Sequence, residues 1–168
     1  MPEASRDRSL GTLKKMKIDT TPLRGQFIVS LEKKDFTWFF SFSGSDVIAT
    51  VSPWRLITPS GIIVTSEDHD QQFGLPAPVN TGGRVTKELG CDKISDLSHD
   101  PQTGDLFLRF SGDRYLQFLQ LSCGYEAWRL YMGDLEYICM GGGGYASFER
   151  THFTANKTLH PTAVNAPV

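Results

Sequence analysis

At 168 residues, 39% hydrophobic and 11% aromatic, the chain holds enough apolar side chain for one folded domain of ordinary size. A net charge of −2 offers no broad cationic face for a nucleic-acid backbone, and no apolar run approaches the roughly 20 residues of a membrane-spanning helix. Three widely spaced cysteines, Cys91, Cys123 and Cys139, fit neither a disulfide framework nor a zinc site of the CxxC type.

Residues 1–24 are polar and lack sustained periodicity, so a flexible N-terminal arm is expected, with Leu13, Met16 and Ile18 available to dock a single turn. Glu3, Arg6, Asp7 and Arg8 have no apolar stretch behind them, which argues against a secretory signal; with reduced thiols, a cytoplasmic location is expected. From Gln26 the pattern becomes strand-like. Phe36, Trp38, Phe40 and Phe42 recur every second residue with Thr37, Ser41 and Ser43 between them, which gives one aromatic face and one polar face. Gly44-Ser45-Asp46 supplies a turn, 47–51 a β-branched strand, and Pro53 its end, because proline cannot donate to a ladder. Strands at 54–57 and 62–65 flank Thr58-Pro59-Ser60-Gly61, where proline suits the second position of a turn.

Residues 66–83 break the pattern with Glu67, Asp68, His69 and Asp70, then Pro76, Pro78 and Gly82-Gly83, and read as a functional loop or a linker. Residues 84–89 fit one helical turn ended by Gly90. Strands resume at 93–98, turn through 100–104, and present Leu106, Leu108 and Phe110 on one face. Further strands are expected at 115–121, 126–131, 135–140 and 145–148, with a disordered tail over 151–168.

The same short design occurs twice. Phe42-Ser43-Gly44 and Phe110-Ser111-Gly112 are followed, after a strand-like segment, by Trp54-Arg55-Leu56 and Trp128-Arg129-Leu130. A three-stranded meander cannot bury its apolar face alone, so two copies would complete one core. Phe42 to Trp54 spans 12 positions, however, and Phe110 to Trp128 spans 18. The expected fold is mainly β: antiparallel meanders forming an internally duplicated β-sandwich or partly open barrel with little helix. It would be a single domain over 25–150, its halves at about 26–65 and 84–148 joined by the loop 66–83. Phe40, Phe42, Trp54, Leu108, Phe110 and Trp128 should be buried. Arg55 and Arg129 should face outward, within reach of acids such as Glu126 or Glu136.

No catalytic constellation emerges. The four glycines 141–144 follow a strand but precede Tyr-Ala-Ser-Phe rather than a helix, which favours a strand connection over a phosphate cradle. His69, His99, His152 and His160 are scattered, without metal-ligand spacing. Cys139 reads as a small core hydrophobe, and Cys123 has no discernible base for nucleophilic chemistry. The acidic run Glu67-Asp68-His69-Asp70 is the strongest polar feature. Its plain reading is a solvated loop, and its functional reading is a docking surface for a basic partner.

Leu89-Gly90, Asp100-Pro101-x-Thr103-Gly104-Asp105-Leu106-x-Leu108-x-Phe110-x-Gly112, Tyr125-Glu126-Ala127-Trp128 and Ile138-Cys139-Met140-x-Gly142-Gly143 together resemble a family of small β-rich bacterial proteins. Similar proteins occur among the immunity proteins that neutralise polymorphic or contact-dependent toxins. The likeness covers about residues 84–148, with Gly141 standing where the family pattern has proline. It implies an immunity protein that binds and occludes a cognate toxin domain and offers no catalytic residue to carry over. From charge, hydropathy and histidine spacing, no metal, cofactor, nucleic-acid or membrane partner is expected. Glu67, Asp68, Asp70, Asp113, Tyr125 and Asp134 are the candidate contact residues. The competing expectation is a ligand-binding or enzymatic β-barrel with a pocket between its two halves.

Overall fold

The computed structural model describes residues 18–150. A 3₁₀ turn at Thr21–Leu23 leads into β1 (Ile28–Lys34), β2 (Thr37–Phe42), β3 (Val47–Thr50), β4 (Trp54–Thr58) and β5 (Gly61–Thr65). A second 3₁₀ turn at Ser66–Asp68 and helix α1 (Thr81–Leu89) follow. Then come β6 (Ile94–His99), β7 (Leu106–Phe110), β8 (Tyr115–Phe118), β9 (Trp128–Met132), β10 (Leu135–Gly141) and β11 (Gly144–Glu149). The strands form two antiparallel sheets, one ordered β1-β2-β3-β9-β10-β11 and the other β5-β4-β8-β7-β6, and neither closes into a barrel.

Read from β6, the second sheet repeats the first. Each half lays a three-stranded meander in one sheet and then sends its remaining strands, two from the first half and three from the second, across to extend the meander of the other half. The central pairings are β3 with β9 and β8 with β4, so Thr50 opposes Trp128 just as Phe118 opposes Trp54. Even the irregularities recur: β1 bulges between Ile28 and Ser30 against β2, and β6 bulges between Ile94 and Asp96 against β7. The repeated Phe-Ser-Gly has a matching role in both halves. The Ser43 N–H donates to Phe27 O (3.0 Å) and the Ser43 hydroxyl accepts from Phe27 N–H (3.3 Å); Ser111 does the same with Lys93 (2.9 and 3.3 Å). The chain is thus an internally duplicated β-sandwich whose halves are interlocked through both sheets.

Alternation places Phe40, Phe42, Trp54, Leu56, Leu108, Phe110, Phe118, Trp128 and Leu130 between the sheets in one continuous core. Burial of these large apolar side chains is the main force holding the halves together. Trp54 and Trp128 are each 1% exposed. Phe36 departs from the expected aromatic face: it occupies the two-residue turn between Lys34 and Thr37, and its ring is 86% exposed.

Two other expectations need correction. The flexible arm expected over 1–24 does not extend that far, since Ile18 and Leu23 are buried in the core. Leu23 stands five positions before Ile28, as the buried Leu89 does before Ile94, so each half opens with a helical turn anchored by leucine. Residues 1–17 and the expected tail 151–168 lie outside the described residues. The second correction concerns α1, which starts at Thr81 rather than 84, because the Asn80 side chain accepts the Gly83 N–H (2.9 Å) as its N-cap. Among the described residues no helix is long and apolar enough to cross a membrane.

Candidate functional site

The acidic loop leaves β5 as a fixed structure. Thr65 and Asp68 form a capping box: Thr65 Oγ1 accepts the Glu67 N–H (3.2 Å), and Asp68 Oδ2 accepts the Thr65 N–H (2.7 Å). Ser66 Oγ accepts the Trp54 N–H (3.2 Å) and donates to Glu67 Oε1 (3.1 Å), which ties the loop to β4. Past the turn, Asp70 N–H donates to Val79 O and Val79 N–H to Gln71 O. Asp70 (φ 61°) and Phe73 (φ 45°) both hold the left-handed conformation, which is rare for a bulky side chain such as Phe73.

This loop forms one wall of a groove of about 290 Å³. Ser66, Glu67, His69 and Gln71 line that wall; Lys33, Phe36 and Trp38 come from the β1–β2 hairpin, and Val51, Ser52 and Pro53 from the β3–β4 connection. Trp38 is buried and meets Trp54 and His69 edge-on, with ring centroids 5.2 and 5.0 Å away. Lys33 Nζ sits 5.5 Å from the centre of the Trp38 ring. The rim is apolar and open: Phe36 is 86% and Val51 59% exposed. Enclosed at this end are two ring nitrogens without a hydrogen-bond partner, Trp54 Nε1 and His69 Nδ1.

At the matching place in the second half the longer loops bond the tryptophan and each other, while His99 Nε2 and Tyr145 Oη are buried without a partner. There Trp128 Nε1 donates to Gly104 O (2.9 Å) in the β6–β7 connection. Gln120, in the β8–β9 connection, uses its N–H to bond Asp105 Oδ1 and its side-chain amide to bond Tyr125 O (2.9 Å each). His99 lies edge-on to Trp128 and Tyr145, at 5.8 and 5.1 Å. Burial holds the His99 imidazole below its ordinary value, and Asp100 beside it pulls the other way. The neutral ring is therefore the folded form. Its contribution to stability is complete above the unfolded value of 6.5 and is lost as pH falls below that toward the depressed folded value. His99→Phe should flatten the fall in urea midpoint between about pH 7.5 and 5; parallel falls in wild type and variant would remove His99 as the cause.

The candidate contact residues do not share one surface. Glu67, Asp68 and Asp70 stand together in the capped loop, but Asp68 is engaged in holding the cap. Tyr125, 80% exposed, lies two residues before Ala127, whose carbonyl accepts from Val51 N–H and Thr50 Oγ1, so it belongs to the same end as the groove. Asp113 sits in the β7–β8 turn with φ 57°, matching Ser45 (φ 69°) in the other half, where aspartate tolerates the left-handed conformation. Asp134 sits in the β9–β10 turn. Both lie beyond the strand ends remote from Trp54 and Trp128, about 16 Å away along five extended residues. Arg129 meets the acids expected of it, Glu126 (2.6 Å) and Glu136 (3.3 Å), whereas Arg55 meets the Gln117 amide (3.0 Å).

The space between the halves, where a ligand pocket would lie, is filled by Phe40, Phe42, Trp54, Phe118 and Trp128. A second hollow, of about 480 Å³, lies at the β6–β7 hairpin beside Ser98, Phe107 and Arg109. Its carboxylate, Asp100, is occupied by the Gln102 and Thr103 N–H groups, which hold it below the usual carboxylate range. Phe36, Trp38 and Val51 are the groove residues that the sequence concealed. The available signal was Lys33-Lys34-Asp35, a charged run better suited to a turn than to a buried strand. Comparisons with protein-family models, curated proteins and solved structures find no match.

Proposed function

We propose that the chain is a binding protein that acts by occlusion, with the groove and its acidic wall as the contact surface. Following the resemblance in its second half, we further assign it as a cytoplasmic immunity protein for a bacterial toxin domain. The observation that carries the reading is the pairing of an exposed Phe36 and Val51 with a hydrogen-bonded acidic loop. Aromatic and aliphatic anchors beside fixed charges suit protein recognition, because little ordering entropy remains to be lost on binding. Such a surface blocks a toxin's active site or substrate path without chemistry of its own.

The test is association with the toxin encoded beside this gene. Glu67→Lys combined with Asp70→Lys should slow association about tenfold at low salt, and the difference should shrink at high salt as the exposed charges are screened. Asp68 is left in place because its loss would open the cap. An unchanged association rate would remove the acidic wall from the interface. Failure of the wild type to bind or protect would end the immunity reading.

A further inference from the structure

The groove lies where the first half lacks two loops that the second half possesses. Its hairpin wall is a connection of two residues, 35–36, where the second half has six, 100–105; its floor strip is 51–53, where the second half has 119–127. In the second half one of these longer loops gives Gly104 O to the Trp128 indole N–H, and the other is tied to it through the Gln120 N–H on Asp105 Oδ1. In the first half the equivalent indole N–H, on Trp54, has no acceptor. The second half therefore shows what can occupy this end of a half, a turn of chain; in the first half Trp38 already packs on the buried Trp54, so such a turn would lie on Phe36, Trp38 and Val51.

We infer that the groove takes one turn of the partner's chain in the place of the longer hairpin loop that the first half lacks, and that this turn carries an apolar side chain next to a lysine or arginine. Phe36 and Val51 provide the apolar seat, exposed at the rim. Glu67 on the opposite wall and Asp70 beside it supply the negative charge that selects the basic neighbour, while Lys33 is held over Trp38 on the hairpin side. A turn is favoured over a straight strand because the groove is bounded at two chain connections and the turn it replaces is a hairpin. The inference rests on the proposed occlusion function and specifies the shape and chemistry of the contact.

The experiment needs no toxin. Disulfide-closed hairpin peptides with Leu-Lys, Leu-Glu or Ser-Ser at the turn, and the reduced open form of the Leu-Lys peptide, are titrated into the ¹⁵N-labelled full chain. The closed Leu-Lys peptide should bind at roughly millimolar affinity and shift the amides of Ser52, Glu67 and Gln71, with the other three clearly weaker. Phe36→Ala, which changes an exposed turn residue, should weaken it about tenfold, and Glu67→Lys should abolish the preference for Leu-Lys over Leu-Glu. Equal binding of the open peptide would overturn the turn geometry, and absence of groove shifts with every peptide would overturn the site. Either result would leave the occlusion function to the toxin-binding measurement, whose failure shows in wild-type protection instead.

Discussion

Trp128→Ala should cost about 3–5 kcal/mol, measured as a lowered urea midpoint at unchanged slope, because it empties a site between the sheets that the surrounding strands cannot close over. Trp54→Ala should fall in the same range, since both indoles are 1% exposed and occupy matching places in β4 and β9. The phenylalanine variants should separate the two. Trp128→Phe leaves Gly104 O without its indole donor, and a buried acceptor left unsatisfied costs about 1–3 kcal/mol beyond the lost volume. Trp54→Phe instead removes a buried N–H that has no partner, so its lost volume is offset. Trp128→Phe should therefore be the more damaging substitution. Equal costs would mean that the surroundings of the two indoles are not chemically different, and the comparison that defines the groove would lose its basis.

The duplication was legible because its residues have fixed tasks. Serine in Phe-Ser-Gly bonds the preceding strand through both backbone and side chain, and Trp-Arg-Leu alternates in, out, in across a half-buried strand. What obscured it was the unequal spacing between the two motifs. Six extra residues in the β8–β9 connection account for all of that difference, and they fall in a loop, where insertions cost little. The crossing of strands between sheets was not legible, since pairing β3 with β9 and β4 with β8 is a long-range choice that no local pattern encodes. The first turn of α1 is not legible because Gly82-Gly83 weakens the helical signal. The structure uses Gly82 for close approach: a Cβ there would run into Leu31 O of β1. For the candidate site, charge could be read but depth could not. Asp68 looked like Glu67 and Asp70 until its bond to Thr65 N–H set it apart. The groove is defined by short connections, and they become informative only when set against the longer ones in the other half.

Gly143→Ala should destabilise the fold by about 2–4 kcal/mol, while Gly144→Ala, one residue on, should be close to neutral. Gly143 has φ +89°, a conformation that L side chains rarely adopt, and a Cβ there would lie 2.6 Å from Pro101 O and 2.9 Å from Gln102 O. Those neighbours are backbone and cannot rotate aside, so the β10–β11 turn and the β6–β7 hairpin must separate. Gly144 has neither problem, with nothing within 4 Å of its Cβ and no positive φ. The separation would act on the contacts that close this end, beginning with Gly104 O on the Trp128 indole, so exchange of that indole N–H should quicken in Gly143→Ala beyond what the global loss of stability explains. If stability falls but the Trp128 N–H stays protected up to global unfolding, the glycine turn is strained on its own account and does not hold the end closed. If the N–H exchanges early, the loops of the second half are what keep the Trp128 indole bonded, and lengthening the 35–36 turn toward the six-residue form becomes the direct route to giving the Trp54 indole an acceptor.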